Sequence, residues 1–445
     1  MPTPTMPLLR RTTCPHCWQQ FAPEEVLWIS AHADLLGDPL LGREQQQRFL
    51  PTRFNIECNA LDGKGFVCRS LACPHCHLAV PRALLEAEPL FVSILGTPAC
   101  GKSYYLTALT WQMRQFLPKE FGVTFGDADP SSNRVLAEYE ELLFLNQRAD
   151  ELLPLTDLIR KTELQGDLYD TVTYGNQAVS YPRPFMFTIH PQDTHPKRGA
   201  KQLTRVLCLY DNAGEHFQPG QESTASPVTQ HLARSRMLLF LFDPTQDQRF
   251  RDACAGREIP GMSRGRTSRQ ESVMHEVATR VRRYTGLAVG AKHPRPLIVI
   301  VTKLDAWKHL LPEPDISEPW ARTDWLTGLD MDKIERRFRD TRAVLARLCP
   351  EFVSVVEDFA QNVLYVPVTA LGQTPAIEPG TKRAMIRPRD IRPAWVTVPL
   401  LYGLSRELPG LVAPMRRRAT TDADRTTQGV RVNQLPDQGG PRHGI

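Results

Sequence analysis

Six short apolar runs recur through the middle of the chain: PLFVSIL (89–95), PFMFTI (184–189), RVLCLYD (205–211), RMLLFLFD (236–243), RPLIVIVT (295–302) and VLYVPVT (363–369). Each is too short for a helix, rich in β-branched and aromatic residues, and continuous rather than alternating. Such runs mark strands buried on both faces of a largely parallel sheet. Helical stretches at 101–117, 269–287 and 331–348 lie between several of them. Strand alternating with helix predicts an α/β sandwich, a mostly parallel sheet with helices on both faces. The runs at 184–189 and 205–211 have only a polar turn between them, so one strand is expected to run antiparallel in a hairpin. Segments near 120–183, 249–270 and 310–325 exceed this plan and read as loop insertions.

The length of 445 residues, 41% hydrophobic and 23% charged, suits a globular chain of two or three domains. The expected division is a Cys-rich module at 1–85, a nucleotide-binding α/β domain at 86–410 and a disordered tail at 411–445. No apolar run approaches the ~20 residues of a membrane span, and the N-terminus carries no secretory h-region, so a cytoplasmic protein without membrane contact is expected. The net charge of +5 is local, because 249–270 holds six Arg against two acids and 411–445 six Arg against three Asp. Nucleic acid is therefore a weakly supported partner. Ten cysteines without a secretion signal argue against a disulfide framework.

Directly after the first apolar run stands GTPACGKS (Gly96–Ser103), a full match to G-x-x-x-x-G-K-[ST] between a strand and a helix. Successive backbone N–H groups of Gly96, Thr97, Ala99, Cys100, Gly101 and Lys102 are expected to form a cradle for a β-phosphate, with Pro98, which has no N–H, and Tyr104 also expected against the nucleotide. The helix N-terminus adds partial positive charge. Lys102 is placed to bridge β- and γ-phosphate oxygens, and the Ser103 hydroxyl to take a Mg²⁺ position. Cys100 is a candidate redox brake, provided the helix N-terminus lowers its pKa.

Two further strand ends carry chemistry. VLCLYDNAGE (206–215) ends in Asp211, placed to hold the Mg²⁺ shell, with Gly214 able to offer its N–H to a γ-phosphate. LIVIVTKLD (297–305) puts the Asp305 carboxylate where guanine N1–H and N2–H₂ can both donate to it, with the Lys303 stem across the ring. Adenine would leave that carboxylate unpaired, a discrimination worth ~10⁴–10⁵. The Thr369–Ala370 backbone is a candidate donor to guanine O6.

The ordered set GTPACGKS, DNAGE, TKLD and TAL resembles the translation-factor-related (TRAFAC) class of P-loop GTPases over roughly residues 90–405. That resemblance implies a P-loop NTPase three-layer sandwich that binds GTP or GDP with Mg²⁺. Lys102 and Ser103 would hold phosphates and metal, Asp211 and Gly214 would read the γ-phosphate, and Lys303 and Asp305 would select guanine. With its Cys-rich start the chain looks like the bacterial double-GTPase families, which implies a partner GTPase or other protein effector in a conflict or defence setting. Three positions depart from the pattern: Thr302 for the commoner Asn, Leu371 for Lys, and Glu215 where many relatives orient water with Gln. Glu215 is a candidate general base, or else a carboxylate repelled by the γ-phosphate, and slow intrinsic hydrolysis that a partner stimulates is expected. The threonine completing the Mg²⁺ shell is sought among Thr156, Thr162 and Thr171, with Thr156 or Thr162 preferred. The expected function is a guanine-nucleotide switch. The alternatives are a P-loop ATPase or kinase, and a non-hydrolysing scaffold.

Two copies of CPHC, Cys14/Cys17 and Cys73/Cys76, have the local spacing of a tetrahedral Zn²⁺ site. Metal would offset the closure of the 55-residue loop between them. Trp18 and Phe21 are expected to cover the metal face. Cys58, Cys68, His16, His75 and His77 are further candidate ligands, and a thioredoxin-like dithiol is the redox alternative. With few lysines nearby, the module is expected to brace the domain or dock a protein.

Overall fold

The computed structural model describes residues 7–159, 169–212, 230–254, 269–288, 290–313, 315–322 and 327–416. Its centre is a seven-stranded sheet. The strands are β1 (Glu88–Gly96), β2 (Val123–Asp127), β3 (Phe185–Pro191), β4 (Arg205–Asp211), β5 (Met237–Phe242), β6 (Leu297–Val301) and β7 (Val363–Pro367), in the spatial order β2-β3-β4-β1-β5-β6-β7. All six apolar runs are strands of this sheet. Only β3 opposes its neighbours, pairing antiparallel with β4 (Phe185 opposite Leu209) and with β2, while β4, β1, β5, β6 and β7 pair in parallel.

Alternate side chains of each strand enter separate cores, as the pleat demands. Val92 and Ile94 of β1, Leu207 and Leu209 of β4, and Leu239 and Leu241 of β5 pack on one face against α1 (Lys102–Phe116) and α6 (Val398–Glu407). On the other face Phe240, Phe242, Val299 and Val301 meet α3 (Gln270–Thr285) and α5 (Pro350–Phe359), with the C-terminal half of α4 (Met331–Leu348). Among the described residues Val206, Cys208 and Tyr210 of β4 meet no long helix, only the four-residue turns Ala83–Glu86 and His231–Arg234. The Cys-rich residues cover that ground with Cys14, Trp18, Phe21, Cys73 and Leu78.

The segments set aside as insertions carry regular structure. Residues 120–183 supply edge strand β2, helix α2 (Arg134–Phe144) and a hairpin pairing Tyr169–Tyr174 with Gln177–Pro182. In β2 only Val123 and Phe125 are buried, so the run alternates and lacks the continuous apolar signature. Trp320–Arg322 pairs with Thr327–Asp330, which in turn pairs with Pro414–Met415. The tail expected from 411 is therefore placed through 416, with Leu411 and Val412 buried. Residues 417–445, and 255–268 of the Arg-rich loop, lie outside the described residues. Among the described residues no helix is long and apolar enough to cross a membrane.

Candidate functional site

β1 reverses the direction of chain winding. From it the chain passes to edge strand β2 and returns through β3 and β4 on one side, and later runs through β5, β6 and β7 on the other. The crevice beyond the carboxyl end of such a strand is where open α/β sheets bind ligands. The Gly96–Ser103 loop occupies it. A Cβ on Gly96 would lie 2.7 Å from the Leu241 carbonyl oxygen and 2.8 Å from Cys100 Sγ, so only glycine fits there. Gly101 takes φ 95° and caps α1. Lys102 folds back over the loop, donating from Nζ to the carbonyls of Gly96 (3.0 Å) and Thr97 (3.1 Å). Gln246 braces the outside, accepting from Thr97 Oγ1 at 3.1 Å and donating to Pro98 O at 3.3 Å.

A cavity of about 210 Å³ adjoins this loop. Ala99, Cys100, Gly101 and Tyr104 line one side, and Thr302, Lys303, Asp305, Ala370 and Leu371 the other. Strand ends and loops more than 200 residues apart in sequence thus share one wall. Thr302 fastens them, its Oγ1 donating toward the carbonyls of Cys100 (3.3 Å) and Phe242 (3.2 Å). Lys303 sits at φ 56° and ties its amine to buried Asp243 Oδ2 at 2.6 Å. Asp305 is held at both oxygens, by Thr369 Oγ1 (2.6 Å) and Thr374 Oγ1 (3.0 Å). The Thr369 N–H donates to Ala394 O. Its hydroxyl holds Asp305, and Ala370 beside it lines the cavity. Thr374, Gln246 and Leu155, which lines the cavity and accepts from the Tyr104 hydroxyl at 2.5 Å, were not foreseen, since none belongs to a recognisable spacing.

Asp211 ends β4, buried at 8% exposure, and its Oδ1 has no hydrogen-bond partner among the described residues. Burial pushes its carboxyl up to about 6, against the opposing pull of Lys102. A desolvated carboxylate oxygen without a partner among the described residues, within electrostatic reach of Lys102, fits a hard divalent cation. Ser103 and Asp211 would hold such an ion, which when bound supplies charge neutralisation at phosphate oxygens. Cys100 is fully buried and its thiol is raised by that burial, more than Lys102 lowers it. The lowered pKa on which a redox brake would rest is absent. Thr156 is exposed and bonds Asp157. Thr171 lies on the 169–182 hairpin beside His16, lining a different cavity. Thr162, Gly214 and Glu215 lie outside the described residues.

The second site is the Cys cluster. The Sγ atoms of Cys14, Cys17, Cys73 and Cys76 all lie within 4.8 Å of one another. The two CPHC turns are near copies. Trp18 N donates to Cys14 O and His77 N to Cys73 O, both at 3.0 Å, with φ 58° at Trp18 and 60° at His77. The His16 and His75 amides each donate to the first thiol of their own turn, both at 3.4 Å. Their rings cross to the opposite turn, His16 Nε2 meeting Ala79 O and His75 Nε2 meeting Gln20 O. His77 pairs with Asp38 at 2.8 Å, Cys58 is exposed, and Cys68 Sγ faces Phe66 O. None of these five joins the cluster. Hydrogen bonding from Cys14, Cys17 and Cys76 drives the Cys73 thiol far down, whereas burial pushes Cys14 up. Four clustered soft ligands, one already favouring thiolate, can hold a metal ion.

Comparison with known proteins gives distant likenesses. Over 181 residues, 40% of this chain and 40% of the relative, the sequence is 28% identical to a Mycolicibacterium smegmatis protein with the provisional name ESX-1 scaffolding and assembly protein SaeC. The chain thus spans about two fifths of that relative's length. Among solved structures it is similar to the signal recognition particle receptor SRb-GTP/SRX complex from Chaetomium thermophilum, at 13% identity and a TM-score of 0.23, covering 66% of this chain and 94% of that one. A score of that size does not establish a shared fold. No protein-family model matches the chain.

Proposed function

We propose that the chain is a P-loop guanine-nucleotide-binding protein that hydrolyses GTP slowly with Mg²⁺ and acts as a nucleotide-dependent switch. One observation carries this reading: the cavity that joins the Gly96–Ser103 loop to Lys303, Asp305 and Ala370 at the carboxyl ends of parallel strands. A phosphate cradle sits at one end. At the other stands a carboxylate whose two oxygens are fixed by hydroxyls at a spacing two guanine donors can meet. The triphosphate would rest on the amides around Lys102, with Mg²⁺ between Ser103 and Asp211. Thr162, Gly214 and Glu215 are the remaining candidates for sensing and attacking the γ-phosphate. Zn²⁺ is the metal proposed for the four thiols. Partners are proposed to be proteins, among them a second GTPase.

The test measures affinities for GTP, GDP and ATP on purified protein and follows phosphate release in the same samples. Guanine preference should reach several orders of magnitude and collapse in Asp305→Asn. Equal affinity for ATP would favour the ATPase or kinase alternative. A second reading, a scaffold that binds nucleotide without turnover, is favoured by the name of the relative. It is separated by phosphate release, absent for a scaffold and slow but measurable for a switch.

A further inference from the structure

Tyr210 stands between the two sites. Its hydroxyl donates to the carbonyl of Pro15, inside the first CPHC turn, at 2.5 Å, and accepts from Trp18 Nε1 at 3.1 Å. Its ring stacks on His231 with centroids 4.4 Å apart and planes 9° from parallel. His231 Nε2 meets Asn212 Oδ1 at 2.8 Å, and Nδ1 meets Ser93 Oγ at 2.5 Å. Asn212 Nδ2 donates to Ile94 O at 3.1 Å, which turns its Oδ1 toward the ring and makes Nε2 the donor. Tyr210, His231, Asn212 and Ser93 are fully buried.

The ends of this network matter. Asn212 directly follows Asp211, the orphaned carboxylate, and Ile94 lies two residues before Gly96. We infer that occupancy of the four-cysteine metal centre regulates the nucleotide site through Tyr210, so that metal and nucleotide bind cooperatively. The inference rests on the guanine-nucleotide reading above. When the thiols close on metal, the Pro15 carbonyl and Trp18 are fixed, and Tyr210 has its two hydroxyl partners. When they open, those partners leave and a buried hydroxyl is stranded. The ring must then shift, carrying His231 and the Asp211–Asn212 strand end with it. Coupling of this kind is reciprocal, so nucleotide must change metal affinity by the factor by which metal changes nucleotide affinity.

The full chain tests this directly. Zinc affinity is titrated against a chromophoric chelator with and without saturating Mg²⁺ and GTPγS, while a fluorescent GTP analogue reports nucleotide binding in parallel samples. Nucleotide should tighten zinc at least fivefold, the low end of the usual coupling range of about 5–150-fold. In Tyr210→Phe, which keeps the ring and its stacking, the change should shrink to about twofold or less. An unchanged zinc affinity in wild type with nucleotide bound overturns the coupling alone. No binding of the GTP analogue overturns the nucleotide reading and the coupling with it. Full coupling in Tyr210→Phe overturns the Tyr210 route. Should that variant not fold, cobalt(II)-loaded wild type decides: ligand-field bands that shift on adding nucleotide support the inference, and unmoved bands reject it.

Discussion

Two covers lie side by side on the same face of the sheet. Over β5 and β6, α3 and α5 bury Val277, Phe352 and Val356 against Phe240, Phe242 and Val299. Over β4, the Cys-rich residues do the equivalent work with strands of only two or three residues around four thiols. The helical cover is held by many apolar contacts, each removable separately. The short strands have too little ladder to stand alone, so their closure is concentrated in one centre. A burial-held cover should weaken by degrees and a metal-held cover all at once.

With zinc on the four thiols as proposed, stripping it should produce the largest effect, since a structural zinc site is worth about 10 kcal/mol in apparent binding energy. With chelator present, amide exchange protection should collapse at 71–80 and in 206–210, while 238–242 keeps its protection. Equal loss on both sides would erase the contrast. Next in size is Phe352→Ala. Its ring stacks on Phe242 with centroids 4.2 Å apart and is 2% exposed, so truncation should cost about 3–5 kcal/mol in denaturant unfolding. Metal stoichiometry should not change. A variant that also lost its metal would show that the two covers share one closure.

The two covers also differ in how openly the sequence announces them. The central strands were legible because a strand buried on both faces must be apolar at every position, and the CPHC turns because a knuckle needs its cysteines at fixed spacing. The Gly96–Ser103 turn from strand to helix was legible for the same local reason. Edge strand β2 was not, since only alternate residues face the core. Nor was α5, whose FVSVVEDF run is as β-branched as a strand. In the cavity, Asp305 was readable from T-K-x-D, whereas the hydroxyls that hold it, Thr369 and Thr374, reach it only through tertiary packing. Tyr210 read as one more apolar strand residue. Backbone strain marks the sites better than residue type does. Of seven non-glycine residues with positive φ among those described, Trp18 and His77 sit at the thiols and Ala99 and Lys303 line the cavity.

At the sheet's carboxyl edge, beside both covers, Asp211 gives a pH signature. An unfolded aspartate releases its proton near its ordinary value of 3.8 and this one at about 6, so the folded chain binds the extra proton between those values. Its contribution to stability is full below about pH 4 and is lost as pH rises through about 6. Asp211→Asn removes the buried charge. Without nucleotide and magnesium it should be more stable than wild type by about 3 kcal/mol at pH 8, and no more stable at pH 4. With Mg²⁺ and GTP the order should reverse, as the variant lacks a ligand the metal needs. A stability gain independent of pH would mean that Asp211 carries no buried charge.

The smallest effect belongs to the seam. Tyr210→Phe leaves the stacking on His231 intact and removes one hydroxyl, leaving the Pro15 carbonyl and the Trp18 indole N–H without it. The loss should be about 1–2 kcal/mol, in the range of a buried hydrogen bond whose partners are left behind. What matters is where the loss falls. If the metal-held cover is a separate closure resting on β4, hydrogen exchange should quicken at 14–18 and 73–77 as well as at 206–212, with α3 and α5 unchanged. If β4 is held mainly by its strand neighbours β1 and β3, exchange will quicken in the CPHC turns alone. The second result would make the module a passive lid. The first would make the tyrosine the joint through which four thiols hold the strand end that carries Asp211.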